Sequence, residues 1–213
     1  MRPALINQIA DLVPGGPGSV RVAVDGVDGV GKSTFAAHLA GELSDRGRPV
    51  VHVSADDFHH PRVIRYRRGR DSPEGFFLDS YDYSALVREV LEPFAPGGSR
   101  RFRRAAHDVR TDEALDLDWE VAPEGTVLVV DGLFLHRDEL AGLFEFSVFL
   151  DAPFEVTVPR MAARDGSHPD PRHPSLARYV GGQRLYFATC DPHSRAGVVI
   201  DNSDWRNPAI LPR

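Results

Sequence analysis

Val20, Val22 and Val24 alternate with smaller or polar residues, and the run stops at Gly26. A short apolar, β-branched stretch bounded by glycine predicts a buried strand. Val50 to Ser54, Val127 to Val130 (ending in Asp131), Phe146 to Leu150 and Val198 to Asn202 have the same character. Between these runs the period changes. Leu5, Ile6, Ile9, Leu12 and Val13 recur at helical spacing before Pro14 to Ser19 breaks the segment, and Phe35, Leu39 and Leu43 predict a helix ending near Ser44. Helices are also expected over Tyr83 to Leu91, over Leu176 to Phe187, and over a segment opened by Asp151-Ala152-Pro153 that carries Arg160 and Arg164. Arg62 to Gly75 reads as irregular, Phe102 to Arg110 fits strand or loop, and acidic Asp112 to Glu120 is expected to be exposed. Strands alternating with helices predict an α/β protein, its mainly parallel sheet covered on both faces in a three-layer sandwich.

The first strand leads directly into Gly26-x-x-x-x-Gly31-Lys32-Ser33, and helix-forming residues follow. That order, strand then glycine-rich loop then helix, is the context in which this spacing binds phosphate. Glycines let consecutive N–H groups turn toward one anion, and the unpaired amides and positive dipole end of the new helix face the same point. Gly26, Asp28, Gly29, Val30, Gly31, Lys32, Ser33 and Thr34 are therefore the expected nucleotide-binding residues. Lys32 can reach the β- and γ-phosphates, and the Ser33 hydroxyl can ligate Mg²⁺. The loop thus predicts a P-loop NTPase with Mg²⁺ and a nucleoside triphosphate; whether it is of the nucleoside/nucleotide kinase-like kind, using ATP, rests on the neighbouring residues.

Neighbouring residues separate a kinase from other P-loop proteins. No Asn-Lys-x-Asp guanine-reading segment is present. Asp56 and Asp57 follow the second strand, at the sheet edge where open parallel sheets bind ligands. Asp131 ends the third strand, where a second acid approaches the metal shell of P-loop enzymes. Arg160 and Arg164 offer cations, and Asp165 to Pro174 is rich enough in proline and turn formers to serve as a lid over about residues 165–175. A small-molecule kinase needs these parts: a carboxylate for the acceptor hydroxyl, cations near the transferred group, and a cover against water.

Length and composition narrow the setting. The 213 residues suit one kinase domain, with residues 1–19 as an N-terminal helix and linker. A formal charge of −6 argues against a general nucleic-acid or anionic-membrane binder. Arginines nevertheless cluster at Arg62, Arg65, Arg67, Arg68 and Arg70 and again at Arg100, Arg101, Arg103 and Arg104, as a solvated face or a site for a phosphorylated small molecule. Cys190 is the only cysteine, so the chain can form no internal disulfide. No export signal or membrane-length apolar run is visible, and a cytoplasmic enzyme acting on a small molecule is expected; homo-oligomerisation stays open.

From Val20 to about Asn202 the chain resembles the uridine kinases of the uridine kinase and phosphoribulokinase superfamily. Ser54-Ala55-Asp56-Asp57-Phe58-His59 is similar to that family's Ser-x-Asp-x-Phe-Tyr segment, which implies Asp56 as catalytic base. Asp71-Ser72-Pro73-Glu74-Gly75-Phe76 is similar to Asp-His-Pro-Asp-Ala-Phe, whose leading Asp holds the ribose hydroxyls; a shifted alignment gives Asp79 or Asp82 that role. Phe102 followed by His107 resembles the aromatic and histidine pair that grips a pyrimidine, and Arg160 with Arg164 resembles the lid arginines. His59 stands where the family usually has Tyr, Phe102 where it often has Tyr, and Asp131 where it usually has Glu. The resemblance implies phosphorylation of the 5′-hydroxyl of uridine or cytidine, as in pyrimidine salvage. A sugar, pantothenate or nucleoside monophosphate acceptor is the alternative within the same chemistry, and a non-catalytic nucleotide-binding regulator is the alternative outside it.

Overall fold

The computed structural model describes residues 3–212. Five of the strands are the expected ones: β1 (Val20–Gly26), β2 (Val50–Ser54), β3 (Val127–Asp131), β4 (Phe146–Asp151) and β5 (Val198–Asp201). A two-residue strand, β6 (Ala209–Ile210), completes a six-stranded sheet in the order β6-β5-β4-β1-β3-β2. All neighbours are parallel except β6, which runs antiparallel to β5. β1 lies between β3 and β4, so the chain departs from it to both sides. At such a reversal the loops leave the strand ends in opposite directions and open a crevice.

Strand side chains point alternately to the two faces, and the sheet separates two apolar layers accordingly. Val20, Val22, Val24, Val127, Val129, Val148 and Leu150 face the helices α1 (Pro3–Leu12) and α2 (Lys32–Asp45), meeting Leu5, Ile9, Phe35, Leu39 and Leu43. Ala23, Leu128, Val130 and Phe149 face the other way, onto an aromatic layer of Phe58, Phe76, Phe77, Phe94, Phe134 and Tyr186. That layer is supplied partly by α3 (Pro73–Asp79) and α5 (Ala177–Cys190), which pack on each other so closely that a Cβ on Gly182 would lie 2.7 Å from the Phe76 ring. Helix α4 (Phe154–Asp165) runs from β4 toward the segment before α5.

The differences from expectation lie between residues 62 and 122. Arg62 to Gly75 is not wholly irregular: Arg62–Arg65 forms a helical turn, and α3 begins at Pro73 with the Ser72 hydroxyl accepting from the Gly75 amide at 3.0 Å. Ser followed by Pro is a helix-start signal, masked in the sequence by the arginines before it. The expected helix from Tyr83 is regular only to Leu86; Val87–Leu91 widens to a π-turn and Glu92–Phe94 tightens before Pro96. Phe102 to Arg110 resolves into two small antiparallel pairs, Arg101–Phe102 with Glu120–Val121 and His107–Asp108 with Glu113–Ala114.

Asp79, one alternative for the ribose carboxylate, is fully buried and ion-paired with Arg67 and, at 2.9 Å, Arg68. Burial pushes its carboxyl up, but the hydrogen bond and charge of Arg67 and the charge of Arg68 outweigh that and hold it below the ordinary value. Asp79 is committed to fastening the arginine-rich turn onto α3. A depressed carboxyl contributes stability that is present above the unfolded-state pKa and lost as pH falls through the folded one. Asp79→Asn is expected to lower stability at neutral pH by about 1–3 kcal/mol, measured by urea titration, with the gap to the parent closing in acid.

Candidate active site

The residues at the carboxyl ends of β1, β2 and β3 build the site. β1 ends in the phosphate loop, whose backbone is held open by positive φ at Gly26 (151°), Gly29 (75°) and Gly31 (100°). Two of these glycines are also demanded by close approach: a Cβ at Gly26 would lie 2.4 Å from the Leu150 carbonyl oxygen, and one at Gly29 2.5 Å from that of Thr157. The loop is therefore pressed between β4 and α4. Its amides are tied from outside, with Asp28 N–H donating to Gln183 Oε1 at 2.7 Å and Asn202 Nδ2 donating to the Val30 carbonyl at 2.7 Å.

Helix α2 starts at Lys32 with no side-chain cap, which leaves its first amides available to an anion. A cavity of about 440 Å³ opens there, lined by Asp28, Gly29, Gly31, Lys32, Ser33, Thr34, Asp56, Arg160 and Arg164. A second, of about 370 Å³, adjoins it through Gly29, Gly31, Thr34 and Arg160 and adds Val30, His38, Asn202 and Trp205. Lys32 Nζ donates to the Val27 carbonyl at 3.0 Å. Arg160 donates to the Asn202 and Ser203 carbonyls at 3.0 and 2.6 Å, and Arg164 lies 3.1 Å from Asp165 and 3.8 Å from Asp28.

Strand register brings the acids together. Asp131 sits level with Val24 of β1 and Ser54 of β2. Its Oδ2 accepts from the Ser33 hydroxyl at 2.6 Å, and its Oδ1 lies 2.7 Å from His52 Nε2. A hydroxyl and an adjoining carboxylate are hard oxygen donors, the set that fits Mg²⁺ when phosphates and water complete the shell. Asp56 follows β2 on a 3₁₀ turn, and its Oδ1 accepts from the Tyr81 hydroxyl at 2.8 Å. Burial and then the Asp56 charge push the Tyr81 phenol well up, so it remains a donor to that carboxylate. Partial desolvation, followed by repulsion from Asp56, Asp131 and Asp108, also pushes the Asp57 carboxyl up, although the residue stays exposed to solvent.

The acceptor residues inferred from resemblance do not gather at one point. Phe102 is 1% exposed and packs edge-on against Phe94 at 5.3 Å, so it belongs to the core and offers no face to a base. Asp71 is exposed on the turn before α3 and does not line the cavity. Asp82 caps the turn at Tyr83, accepting from the Ala85 amide at 2.9 Å. His107 is 5% exposed with neither ring nitrogen hydrogen-bonded; Asp112 Oδ1 lies 3.4 Å from its Nε2, outside hydrogen-bonding geometry. It shares the neighbourhood of His59, whose imidazole is pushed down mainly by burial and whose Nδ1 lies 2.6 Å from the Asp56 carbonyl.

Several participants escaped the sequence reading. His52 alternates with Ser54 along β2, which puts it on the Asp131 side; that period-2 relation was the available signal. Gln183, Tyr81 and Asn202 are distant in sequence and carry no local mark.

The fold and the loop define a P-loop phosphotransferase. A model of the Phosphoribulokinase / Uridine kinase family matches residues 21–168, and the chain belongs to that family, whose members transfer phosphoryl groups to hydroxyl acceptors. A uridine kinase of Tolumonas auensis is 25% identical over 158 residues, covering 70% of this chain and 69% of that protein. Among solved structures, one described as a possible uridine kinase from Bacillus stearothermophilus superposes with a TM-score of 0.71 at 23% identity, covering 91% of this chain and 96% of the other. A kinase assigned to a fructose transport system in Silicibacter sp. TM1040 gives 0.68 at 24% identity, with 89% and 96% covered.

A carboxyl whose folded pKa is raised opposes folding once it ionises, so stability falls as pH rises through that range. Asp57→Asn is expected to raise the Tm of the metal-free protein at pH 7. The gain should vanish in acid, where Asp57 is protonated in both states; a parental Tm across the whole range would show that its surroundings do not push the carboxyl up.

Proposed function

We propose that the protein transfers the γ-phosphoryl group of ATP, with Mg²⁺, to a hydroxyl of a small molecule, Asp56 acting as the base. The observation that carries this reading is the single cavity lined by Lys32, Ser33, Asp56, Arg160 and Arg164. Amides of the phosphate loop and α2 bind and orient the phosphates. Bound Mg²⁺ would neutralise charge on the β- and γ-oxygens, held by Ser33 and, through it, Asp131. Lys32 exchanges the Val27 carbonyl for a phosphate oxygen. Asp56, anchored by Tyr81, takes the acceptor's hydroxyl proton as the oxygen attacks phosphorus. Arg164, 62% exposed at its side chain and paired with Asp165 and, at 3.8 Å, Asp28, is free to close with the segment 165–175 as a lid.

For the acceptor, the first reading is the 5′-hydroxyl of a pyrimidine nucleoside. It is supported by the family and by His107, a buried imidazole with two unpaired nitrogens that an acceptor's polar edge could satisfy. A second reading has its own observation. A cavity of about 570 Å³ is lined by Arg62, Arg65, Tyr66 and Arg70, with Arg65 3.4 Å from the same Asp112 that neighbours His107. Three guanidinium groups there favour an acceptor carrying a carboxylate or phosphate.

An acceptor panel read by ADP release decides between them, with uridine and cytidine against phosphorylated and carboxylated sugars. On the nucleoside reading, His107→Ala raises KM for the nucleoside while Arg70→Ala leaves it alone. On the anionic reading, Arg70→Ala raises KM for the acceptor. Asp56→Asn is expected to keep nucleotide affinity, measured by calorimetry, and to lose most turnover. Lys32→Ala should lose at least about two orders of magnitude in kcat with the fold intact, because a cation at the transferring group contributes several kcal/mol. Turnover near the parent's in Lys32→Ala would refute the kinase reading.

A further inference from the structure

Asp25, the residue before the first glycine of the phosphate loop, has no part in the chemistry above and is fully buried. It shares a face with Arg21 and Ala23, so alternation along β1 turns it away from α2 and into the aromatic layer. A carboxylate there would be costly unless every lone pair were used. Oδ1 accepts from the Gly26 amide at 2.7 Å. Oδ2 accepts from the Leu135 amide at 2.9 Å, the His136 amide at 3.2 Å and the Tyr186 hydroxyl at 2.5 Å, and lies 2.8 Å from His136 Nδ1. Burial, followed by the Asp25 charge, pushes the Tyr186 phenol well up, so it stays protonated and donates.

These partners belong to three pieces of the catalytic frame. Gly26 opens the phosphate loop. Leu135 and His136 follow the turn that leaves Asp131, and that turn contains Phe134, a buried non-glycine residue at φ 65°. A bulky residue in the left-handed region persists only where its surroundings impose it. Tyr186 lies on α5, one turn beyond Gln183, which holds the Asp28 amide of the same loop. His136 is itself oriented from its far side by Ser147 Oγ, 2.9 Å from Nε2.

We propose that Asp25 is a positioning residue for phosphoryl transfer: its two oxygens fix the start of the phosphate loop relative to the turn after Asp131. The phosphate-binding amides and the acid beside Ser33 then keep one geometry whether or not nucleotide is bound. This rests on the kinase reading for its purpose, and its test needs only nucleotide, so the acceptor's identity does not enter.

Asp25→Asn distinguishes positioning from general support. An amide offers one acceptor, and four donors face Oδ2 against one at Oδ1, so the Asn oxygen turns toward residues 135, 136 and 186 and its NH₂ meets the Gly26 amide. The loop end is the part released. Calorimetry with Mg-ADP is expected to show affinity at least about tenfold weaker. Tyr186→Phe removes one of the four donors at Oδ2 and leaves Gly26 held, so it should lower Tm but keep Mg-ADP affinity within about twofold. Parental affinity in Asp25→Asn, or equal losses in both variants, would overturn the assignment. If Asp25→Asn does not fold, hydrogen exchange on the parent decides. In the nucleotide-free protein the Gly26 amide should exchange as slowly as the interior of β1, and exchange as fast as the Asp28 to Gly31 amides would refute the tether.

Discussion

Parallel pairing of β3 between β1 and β2 is the constraint on which the rest depends. It sets Asp131 level with both Val24 and Ser54, so the phosphate loop, the acid beside Ser33 and the turn bearing Asp56 emerge together at one sheet edge. A slip of one residue in β3 would turn Asp131 from the α2 side into the aromatic layer. The apolar alternation prevents it: Val127 and Val129 would have to exchange faces with Leu128 and Val130, all four fully buried. Core packing thus sets the register that brings Asp131 to the sheet edge, and the contacts of Asp25 hold the loops that leave it.

The same alternation explains what could be read without the structure. A buried strand announces itself through β-branched residues, and a phosphate loop through glycines whose spacing is a backbone requirement. Both signals are local, so β1 to β5, α2 and the residues from Gly26 to Thr34 were legible. The positions of Asp131, which ends β3, and of Asp56, two residues past the end of β2, were legible for the same local reason. The acceptor side was not. The short segments around Phe102 and Asp71 do not show how their neighbours pack: Phe94 covers Phe102 across a turn, and Arg67 and Arg68 spend their charge on Asp79. Where an aromatic side chain ends up depends on which neighbours reach it, and two-residue pairs such as Arg101–Phe102 with Glu120–Val121 leave almost no periodic trace.

Helix α5 links the phosphate loop to the arginine-rich turn before α3. Gly181 and Gly182 allow it close to Pro73 and Phe76 of α3, while Arg178 donates to the Ser72 and Arg65 carbonyls at 3.2 and 2.9 Å. Further along, Gln183 holds the Asp28 amide and Tyr186 reaches Asp25. One helix therefore touches both the arginine-rich turn before α3 and the phosphate loop. It also follows directly from the segment 165–175, so a movement of that segment has α5 as its covalent continuation.

The three cations of the cavity differ in how they rest, and the differences sort their work. Arg160 spans the Asn202 and Ser203 carbonyls; moving it would leave both without that donor and loosen the end of β5, so it is better suited to hold the wall between the two cavities than to travel. Lys32 has one neutral carbonyl partner and a flexible stem, so exchanging Val27 for a phosphate oxygen trades a neutral hydrogen bond for a charge-assisted one of roughly twice the strength. Arg164, itself largely exposed, is paired with the exposed Asp165 and, at 3.8 Å, with the half-buried Asp28, attractions weakened by solvent, distance and salt. A triphosphate entering beside Asp28 competes for that guanidinium with more negative charge and more acceptor oxygens, and Arg164 is the cation with least to lose by turning to it. On the proposed kinase reading, phosphate binding would itself draw the end of α4, and the segment after it, over the site.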